Sequence, residues 1–469
     1  MRRPYLVLAI CCMSLFIVGL DVTIMNIALP ALREDLGASI SGLQWTIDAY
    51  TLVLASLLVL SGSTADRVGR RRVFQTGLAL FSAGSLLCSV APSLGWLIAF
   101  RAVQAIGGSM LNPVAMSIIT NTFTEPRERA RAIGVWGGVI GFSMALGPLL
   151  GGFLVDTLGW RSIFWVNVPV GIAAFLLAAR FVPESRAPHP RRLDPVGQVL
   201  VFLVLAGVTY GIIEGPTAGW SSPRIVGCFV VGAAALAALL RHEPRQPEPL
   251  LELRFFRSVP FSGATLIAVC AFGSLAGFLF LNSIYLQDVR GLEPLHAGLW
   301  TLPMAATTAL LSPVSGRLVA ARGTRLPLTV AGVAFVAGML PMTRLTATTP
   351  IWLLMTCYVL FGVGFAMVNS PITNTAVSGM PREQAGVAAA IASTSRQVGG
   401  ALGVAVIGAA VASTSVGFAE ASHAGWWIIT GLGASVLVLG LVTTGRWARS
   451  TVARAAVAAE SPVAAKIAR

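Results

Sequence analysis

The stretch Gly62-Ser-Thr-Ala-Asp-Arg-Val-Gly-Arg-Arg-Arg72 joins two long apolar segments, and a weaker copy, Gly316-Arg-Leu-Val-Ala-Ala-Arg-Gly-Thr-Arg325, joins two others. Self-similarity at a fixed distance indicates a repeated structural unit. Two further pairs recur in the same order: 126–130 (PRERA) with 381–385 (PREQA), and Gly107 and Asn112 with Gly364 and Asn369. The three offsets are 254, 255 and 257 residues, so the chain contains two copies of one unit in the same orientation.

The composition places most of this chain in lipid rather than in water. Of its 469 residues, 55% are hydrophobic and 11% are charged, and the mean hydropathy is +0.79. A soluble chain carries about 25% charged residues, and a helix that crosses a bilayer needs about 20 apolar residues. Fourteen segments meet that requirement: 6–30, 44–63, 73–91, 95–121, 130–154, 161–181, 194–214, 222–241, 259–285, 295–320, 325–345, 349–372, 384–412 and 423–445.

The repeat and the number of segments together predict the architecture. Helices 1–6 and 9–14 form the two copies, and helices 7 and 8 are inserted between them. Parallel six-helix halves related by an axis along the membrane normal are a recurring transporter design. We therefore predict an all-α polytopic membrane protein of fourteen helices. Its regions are an N-terminal six-helix half (1–182), inserted helices 7 and 8 with their linkers (183–258), a C-terminal six-helix half (259–449) and a cytoplasmic tail (450–469).

The positive charge is distributed among the loops. The formal net charge is +14, with 33 Lys and Arg residues against 19 Asp and Glu residues. With a cytoplasmic N-terminus, 26 of the 33 basic residues fall in cytoplasmic loops or tails, five in outer loops and two within helices. This positive-inside pattern predicts a multi-pass protein of the bacterial cytoplasmic (inner) membrane with both termini in the cytoplasm. Because no single domain gathers the charge, we expect no nucleic-acid partner.

Several motifs resemble the major facilitator superfamily. GSTADRVGRRR (62–72) is similar to that family's loop between helices 2 and 3, RAVQAIGG (101–108) to its fourth-helix motif, and GPLLGG (147–152) to the fifth-helix motif of its antiporters. LDVTIMNIALP (20–30) and WRSIFWVNVPVG (160–171) resemble the fourteen-span drug:proton antiporters, which include quaternary-ammonium and methylenomycin resistance exporters. The resemblance implies a major facilitator fold and the export of small amphipathic organic molecules in exchange for protons.

Three charged residues lie away from the ends of the predicted helices of the first half. Asp21 lies mid-span in helix 1, Asp48 one turn inside the outer end of helix 2, and Arg101 in the outer half of helix 4. A charge at the bilayer centre costs about 2.5–3.5 kcal/mol on insertion scales, so such residues are expected to have partners or functions. The resemblance implies proton coupling, with Arg101 tuning the helix-1 acid and Asp48 acting either as a second protonation site or as the partner of a cationic substrate. The alternatives are a packing contact for Asp21, an interfacial carboxylate near a helix N-terminus for Asp48, and a structural tie for Arg101.

The loop between helices 2 and 3 combines glycines, which permit a tight turn, with one acid among several arginines. The residues are Gly62, Asp66, Arg67, Gly69, Arg70 and Arg71. The resemblance implies conformational gating, in which ion pairs of this cluster hold the two halves together in the outward-facing state. The alternative is that the arginines only anchor the topology. The second-half copy has Ala320 in place of Asp66, so it lacks the same pair.

Helix 5 is predicted to pack closely against its neighbours, because small residues spaced about four apart let helices approach in lipid. The residues are Gly134, Ser143, Gly147, Pro148, Gly151 and Gly152. Pro148 is expected to bend the helix. The resemblance implies that this stretch seals the interface between the halves against proton leak. The alternative is generic glycine-rich packing.

The substrate pocket is expected near mid-membrane between the halves. Candidate lining residues are Tyr50, Trp136, Phe142 and Met144, with ordinary packing as the alternative for each. Arg396 is the second arginine within a predicted span, and it is interpreted either as a structural tie or as part of the coupling machinery. Helices 9–14 contain no mid-membrane carboxylate, which favours a monocationic or neutral substrate over one with two widely spaced cationic centres.

Functions other than drug export fit the sequence less well. A proton-coupled symporter or an exporter of a specific metabolite would use the same fold, and the antiporter-like 147–152 stretch argues against a symporter. A membrane-embedded enzyme needs a clustered catalytic set, whereas His189, His242, His296 and His423 are scattered. We therefore expect no enzymatic activity and no metal site. We also expect no cofactor beyond the proton gradient, and a monomer in the lipid bilayer.

Overall fold

The computed structural model describes residues 3–187, 193–246, 248–250, 252–377, 385–413, 417–445, 447–448 and 451. Over these residues the chain consists of helices and connecting loops and has no β-strand. The long helices, numbered α1 to α14 in chain order, are Pro4–Leu36, Ile40–Val68, Arg70–Ser89, Leu94–Thr122, Pro126–Leu158, Ser162–Phe181, Pro195–Ala218, Pro223–His242, Val259–Ile284, Pro294–Arg322, Arg325–Met339, Ile351–Val377, Ala385–Ala412 and Phe418–Thr443.

Twelve helices of the described chain are long and apolar enough to cross a membrane. The two others are α3 and α10, with 20 and 29 residues. They are less apolar, because α3 begins with three arginines and α10 carries two internal prolines and two arginines. With these two, the described chain contains fourteen long helices, of which twelve have the length and hydropathy of a membrane span, and this is consistent with the predicted architecture. The all-α polytopic fold is therefore confirmed.

Most helices extend past the predicted apolar segments, because polar turns continue them beyond the lipid. α1 continues to Leu36, where Gly37 adopts a left-handed conformation with φ of 60° and closes the helix. α14 begins at Phe418, five residues before the predicted segment 423–445, so Glu420 lies in its first turn. Short helices follow two spans: a π-helical turn, Tyr285–Val289, continues α9, and the 3-10 helix Pro341–Arg344 follows α11. The repeat at 381–384, His189 and the tail from 452 onward lie outside the described residues.

The two ends of the bundle differ in charge. α1 begins at the end that carries Arg70, Arg71 and Arg72, together with Arg127 and Arg129 at the start of α5. We call this the arginine-rich end, and the opposite end the arginine-poor end. Helices α1–α6 are called the first set below, and α9–α14 the second set.

Buried apolar side chains form two clusters that show where the sets meet. One cluster contains first-set residues only. The other joins the sets, and it includes Leu29 of α1 and Leu154 of α5 together with Phe280 and Ile284 of α9. Its first-set members lie in the arginine-poor half of the bundle. The sets therefore share one apolar core toward the arginine-poor end.

Helices α7 and α8 pack beside the first set. Trp45 Nε1 of α2 donates to Glu214 Oε1 of α7 at 2.8 Å, and Gln198 of α7 donates to the Ser56 carbonyl. α7 also contacts α13, so it bridges α2 and a second-set helix. A cavity of about 650 Å³ lies between α2, α4, α7 and α8, and its walls are almost entirely apolar, with Arg224 among the lining residues.

Candidate functional site

Asp21 lies at the centre of a buried polar network. Its Oδ2 accepts from Arg101 Nη1 at 2.5 Å, and its Oδ1 accepts from Gln104 Nε2 at 2.8 Å and from Asn167 Nδ2 at 3.1 Å. Gln104 and Asn167 also donate to Ser85 Oγ, at 2.7 and 3.3 Å. The network therefore links α1, α3, α4 and α6, and the carboxylate uses both of its oxygens.

The Arg101 guanidinium has further polar and aromatic partners. Its Nε donates to the Thr46 carbonyl of α2 at 3.1 Å, its Nη1 also donates to Gln104 Oε1 at 2.7 Å, and its guanidinium carbon lies 4.3 Å from the centre of the Tyr50 ring. Only 1% of the Arg101 and Asp21 side chains is exposed. Removing one member of such a buried pair leaves an uncompensated charge, which costs about 3–5 kcal/mol. The pair is thus a structural tie and also a place where protonation would change the charge balance.

Asp48 has a different environment. The residue is fully buried, and neither carboxylate oxygen has a hydrogen-bond partner among the described residues. One helical turn earlier, Gln44 Nε2 donates to the carbonyls of Val404 and Ala405 on α13, at 3.0 and 2.9 Å. Residues four apart share a helix face, so Asp48 lies on the face of α2 that meets the second set.

The arginine loop is bound to the segment that follows α6. Asp66 Oδ1 accepts from Arg70 Nη2 at 2.8 Å, and the Asp66 carbonyl accepts from the Ala187 amide. Glu184 accepts from the Arg71 amide at 3.0 Å and lies within 3.9 Å of the Arg71 side chain. Gly69, with φ of 128°, faces Glu184, and Gly62 faces Pro113 of α4. Arg67 also interacts with another group of the protein. The contacts of Asp66, Arg70, Arg71 and the two glycines thus lie within or beside the first set.

Small residues let α5 approach α1 closely in the arginine-poor half. A Cβ at Gly151 would lie 2.7 Å from Ile24 Cγ1, and one at Gly147 would collide with the side chain of Thr23. Ser143 is fully buried opposite Gly19 of α1. These three predicted packing residues therefore face one helix.

The next two positions face the second set. A Cβ at Gly152 would lie 2.6 Å from Leu295 Cα of α10, and a Cβ at Gly298 of α10 would collide with the Pro148 carbonyl. Gly134 differs, because no described atom lies within 4 Å of its Cβ position. Gly134 therefore takes no part in this close packing in the present conformation, contrary to the expectation.

The four candidate lining residues fall into two groups. Tyr50 is 2% exposed and lies beneath Arg101, so it does not line an open cleft here. Phe142 is 60% exposed and stacks on Phe16, while Trp136 and Met144 are half-buried against the two apolar clusters. Arg396 lies on α13, with its Nη2 donating to Thr373 Oγ1 at 2.6 Å.

Sequence reasoning did not identify Ser85, Asn167 or Thr46 as members of the site. Asn167 lies inside the quoted 160–171 stretch, and an amide within an apolar span was a usable signal. Ser85 and the Thr46 carbonyl gave no such signal, because serines recur along α3 and every residue has a carbonyl. Their roles depend on which helices become neighbours.

Two sets of membrane helices that share a core at one end and enclose charged residues define a polytopic transporter. The sequence profile of the Major Facilitator Superfamily matches residues 11–404. The chain belongs to this superfamily and is a transporter rather than an enzyme. Its fold is the major facilitator fold.

The chain is similar to several proteins of named function. The tetracenomycin C resistance and export protein of Streptomyces glaucescens is 36% identical over 412 residues, which cover 88% of this chain and 76% of that protein. The multidrug resistance protein Stp of Mycobacterium tuberculosis is 35% identical over 412 residues, which cover 88% of this chain and 76% of that protein. The methylenomycin A resistance protein of Streptomyces coelicolor is 34% identical over 398 residues, covering 84% of this chain and 83% of that protein.

A solved structure supports the fold. A bacterial homologue of the human lysosomal transporter Spinster, in an inward-facing and unoccupied conformation, superposes with a TM-score of 0.63. The match covers 97% of this chain and 98% of that one at 18% identity. At this identity the likeness concerns the fold alone.

Proposed function

We propose that this protein is a proton-coupled antiporter that exports small amphipathic organic compounds, in multidrug efflux or antibiotic self-resistance. The relatives named for antibiotic resistance, export and multidrug resistance support the transported class. We place the protein in a bacterial cytoplasmic membrane with the arginine-rich end in the cytoplasm, because basic loops are retained inside. It works as a monomer without nucleic acid, and its energy source is the proton gradient rather than a cofactor.

The observation that carries proton coupling is the environment of Asp48. Its two oxygens are buried without hydrogen-bond partners in the described structure. An isolated buried carboxylate costs several kcal/mol when ionised, so the packing at this seam suits the protonated form. Ionisation of Asp48 favours separation of α2 from α13, which lets water reach the carboxylate.

Asp21 supplies a second site that responds to protons. Its negative charge balances Arg101 inside the first set. A proton on Asp21 would leave Arg101 with only neutral acceptors, the Thr46 carbonyl and Gln104 Oε1. The energy of the pair therefore links proton binding to the packing of α1 against α4, and α1 in turn contacts the second set.

The cross-set contacts suit a cytoplasm-facing conformation. Gly152, Gln44 and Leu29 take part in contacts that lie toward the arginine-poor end, which we place outside. In an antiport cycle, this conformation follows proton uptake from the outside and precedes substrate binding from the cytoplasm. A protonated Asp48 is consistent with that step. The arginine loop then acts as a gate, whose ion pairs join the halves when the cytoplasmic side closes.

The test uses everted vesicles from a host that lacks its own efflux pumps. A pH gradient is imposed, and uptake of ethidium and of N-phenylnaphthylamine is followed by fluorescence. Gradient-driven uptake is expected to fall at least about tenfold in Asp21→Asn and in Asp48→Asn. A tenfold change corresponds to about 1.4 kcal/mol. For Asp48→Asn, exchange of labelled for unlabelled compound without a gradient is expected to persist, because Asn mimics the protonated acid.

Asp35→Asn is the matched control. Asp35 lies at the end of α1, is half-exposed and pairs with Arg161 of the same set at 2.6 Å. Gradient-driven uptake by vesicles with Asp35→Asn should stay within about twofold of the wild type, since exposed pairs contribute up to about 1 kcal/mol. Export is contradicted if wild-type vesicles show no gradient-driven uptake of a panel of amphipathic compounds. Coupling through these acids is contradicted if both variants accumulate compounds as the wild type does.

A further inference from the structure

Arg396 has an environment unlike that of Arg101. Among the described residues, no carboxylate lies within ion-pair distance of its guanidinium. Its Nη2 donates to Thr373 Oγ1 at 2.6 Å, and its Nε is buried without a hydrogen-bond partner. A guanidinium inside a membrane span normally pairs with an anion or with carbonyl groups. This one therefore has unused donor capacity.

The guanidinium also lies beside aromatic rings. Its central carbon is 5.7 Å from the centre of the Phe272 ring, and Phe272 packs edge-to-face on Phe365 at 5.2 Å. Thr373 is exposed and lies near the arginine-rich end of α12, so the wall that bears the guanidinium is not covered by other residues of the described chain there. A cation, an apolar aromatic wall and access from an open face together provide contacts for both parts of an amphipathic anion.

The position of Arg396 fits a transported ligand. Thr51 of α2 lies against Gly400 of α13, with 3.7 Å between Thr51 Cγ2 and a Cβ built on Gly400. Arg396 is one helical turn from Gly400 toward the arginine-rich end, so it lies on the cytoplasmic side of the α2–α13 seam in the orientation proposed above. A ligand beside Arg396 is accessible from the cytoplasm and lies on the cytoplasmic side of the region where the two sets join.

We propose that Arg396 is the anion-binding residue of a substrate subsite in the second set. The ligand is an aromatic compound with an oxyanion, such as a carboxylate, sulfonate or phenolate. The oxyanion accepts from Arg396, and its ring system packs on Phe272. The inference rests on the proposed export function, whose substrate class it narrows.

The test compares two probes that share one scaffold and differ in a single acidic group. These are anilinonaphthalene sulfonate and the uncharged N-phenylnaphthylamine. Fluorescence titration of the full-length protein in lipid nanodiscs, without a gradient, gives the Kd of each probe after subtraction of empty nanodiscs. A charge-assisted hydrogen bond contributes about 1.5–3 kcal/mol, so Arg396→Gln is expected to raise the Kd of the sulfonate about 10- to 100-fold. The Kd of the neutral amine should change less than about twofold, as expected for a ligand that does not use this bond.

Two further variants separate loss of this contact from a general loss of positive charge. Arg396→Lys keeps the charge and should restore most of the sulfonate affinity if the subsite is electrostatic. Arg317→Gln removes an exposed arginine of α10, so it controls for the loss of one positive charge in the second set. The proposal is overturned if Arg396→Gln weakens both probes equally, or if Arg317→Gln weakens the sulfonate as strongly. It is also overturned if sulfonate binding survives Arg396→Gln while gradient-driven transport is lost, because Arg396 would then act in coupling.

Failure of the export function gives a separate result. If wild-type vesicles show no gradient-driven uptake of the panel of amphipathic compounds, the proposed function fails whatever the nanodisc titration shows. If vesicles move the neutral amine normally with Arg396→Gln and the sulfonate affinity is unchanged, export stands and the anion subsite does not.

Discussion

The two ends of α5 have similar sequences and opposite surroundings. Toward the arginine-poor end, Gly147, Gly151 and Gly152 lie where a single added carbon would collide with α1 or α10. Toward the arginine-rich end, Gly134 and Gly137 have no atom of the described residues within 4 Å of their Cβ positions. A glycine-rich helix therefore marks a surface able to pack closely, and the conformation decides which part of that surface is in contact. In an alternating-access transporter the two ends are expected to exchange these roles.

The same substitution at the two ends should have opposite effects, and the effect at Gly152 should be the largest. A Cβ at Gly152 would lie 2.6 Å from Leu295 Cα and 2.9 Å from the Leu295 nitrogen, and these backbone atoms cannot move independently. Overpacking costs about 1–3 kcal/mol. Gly152→Ala is expected to lower the apparent melting temperature in detergent by several degrees and to cut transport at least about fivefold, by the free-energy scale of such changes.

Gly137→Ala is the matched control. Its Cβ meets open space, and alanine favours a helix over glycine by about 0.5–1 kcal/mol. The melting temperature should therefore stay the same or rise. Equal destabilisation by the two substitutions would show that the two ends do not differ in packing as described.

The contact between α1 and α9 provides the next largest effect. Pro30 has no N–H, so the carbonyl of Asn26, four residues earlier, loses its usual partner within α1. Ser283 of α9 donates to this carbonyl at 2.5 Å, and Gln287 donates to the Ile27 carbonyl at 3.0 Å. A buried acceptor left unsatisfied costs about 1–3 kcal/mol. The double change Ser283→Ala and Gln287→Ala should therefore open the arginine-poor end.

Opening can be followed at Ala28, which is fully buried on α1. With Ala28→Cys as reporter and the native cysteines replaced, a membrane-impermeant maleimide should react about 5- to 30-fold faster in the double variant, the factor expected for 1–2 kcal/mol. A reporter at the exposed last residue of α7, Ala218→Cys, which also lies at the arginine-poor end, should react at an unchanged rate. An unchanged rate at Ala28 as well would mean that these bonds do not hold the end closed.

A third prediction concerns the proline itself. In Pro30→Ala, the new N–H at position 30 can donate to the Asn26 carbonyl within α1, so Ser283 is no longer its only donor. The effect of Ser283→Ala on labelling should therefore fall to less than about half its size in the Pro30→Ala background, which is the coupling that a double-mutant cycle measures. Additive effects of the two changes would contradict a role for the freed carbonyl.

The sequence predicted much of the fold, because long apolar segments and the repeat are local or periodic signals. The pairing of Asp21 with Arg101 was accessible in outline, since a charge within a span demands a partner. The acceptors, Ser85 Oγ and the Thr46 carbonyl, were not accessible, because their contribution depends on helix rotation and on a backbone carbonyl. Likewise, a glycine pattern does not show which end of the bundle is closed. Gly134 was therefore expected in close packing together with the glycines of the other end.

The smallest effect is expected at the rim of the closed end. Arg33 Nη1 and Asp288 Oδ2 join the two sets at 3.2 Å, but their side chains are 44% and 29% exposed. Exposed ion pairs contribute about 0–1 kcal/mol, so Arg33→Gln should speed labelling at Ala28→Cys by at most about fivefold. Because salt screens exposed charges over about 8 Å at physiological ionic strength, this increase should shrink in 1 M salt, in contrast to that of the Ser283 and Gln287 changes. The contrary result is a salt-independent increase in the labelling rate that exceeds the increase in the double variant. The ion pair would then be the main contact that closes this end, and not the buried hydrogen bonds or the close approach at Gly152.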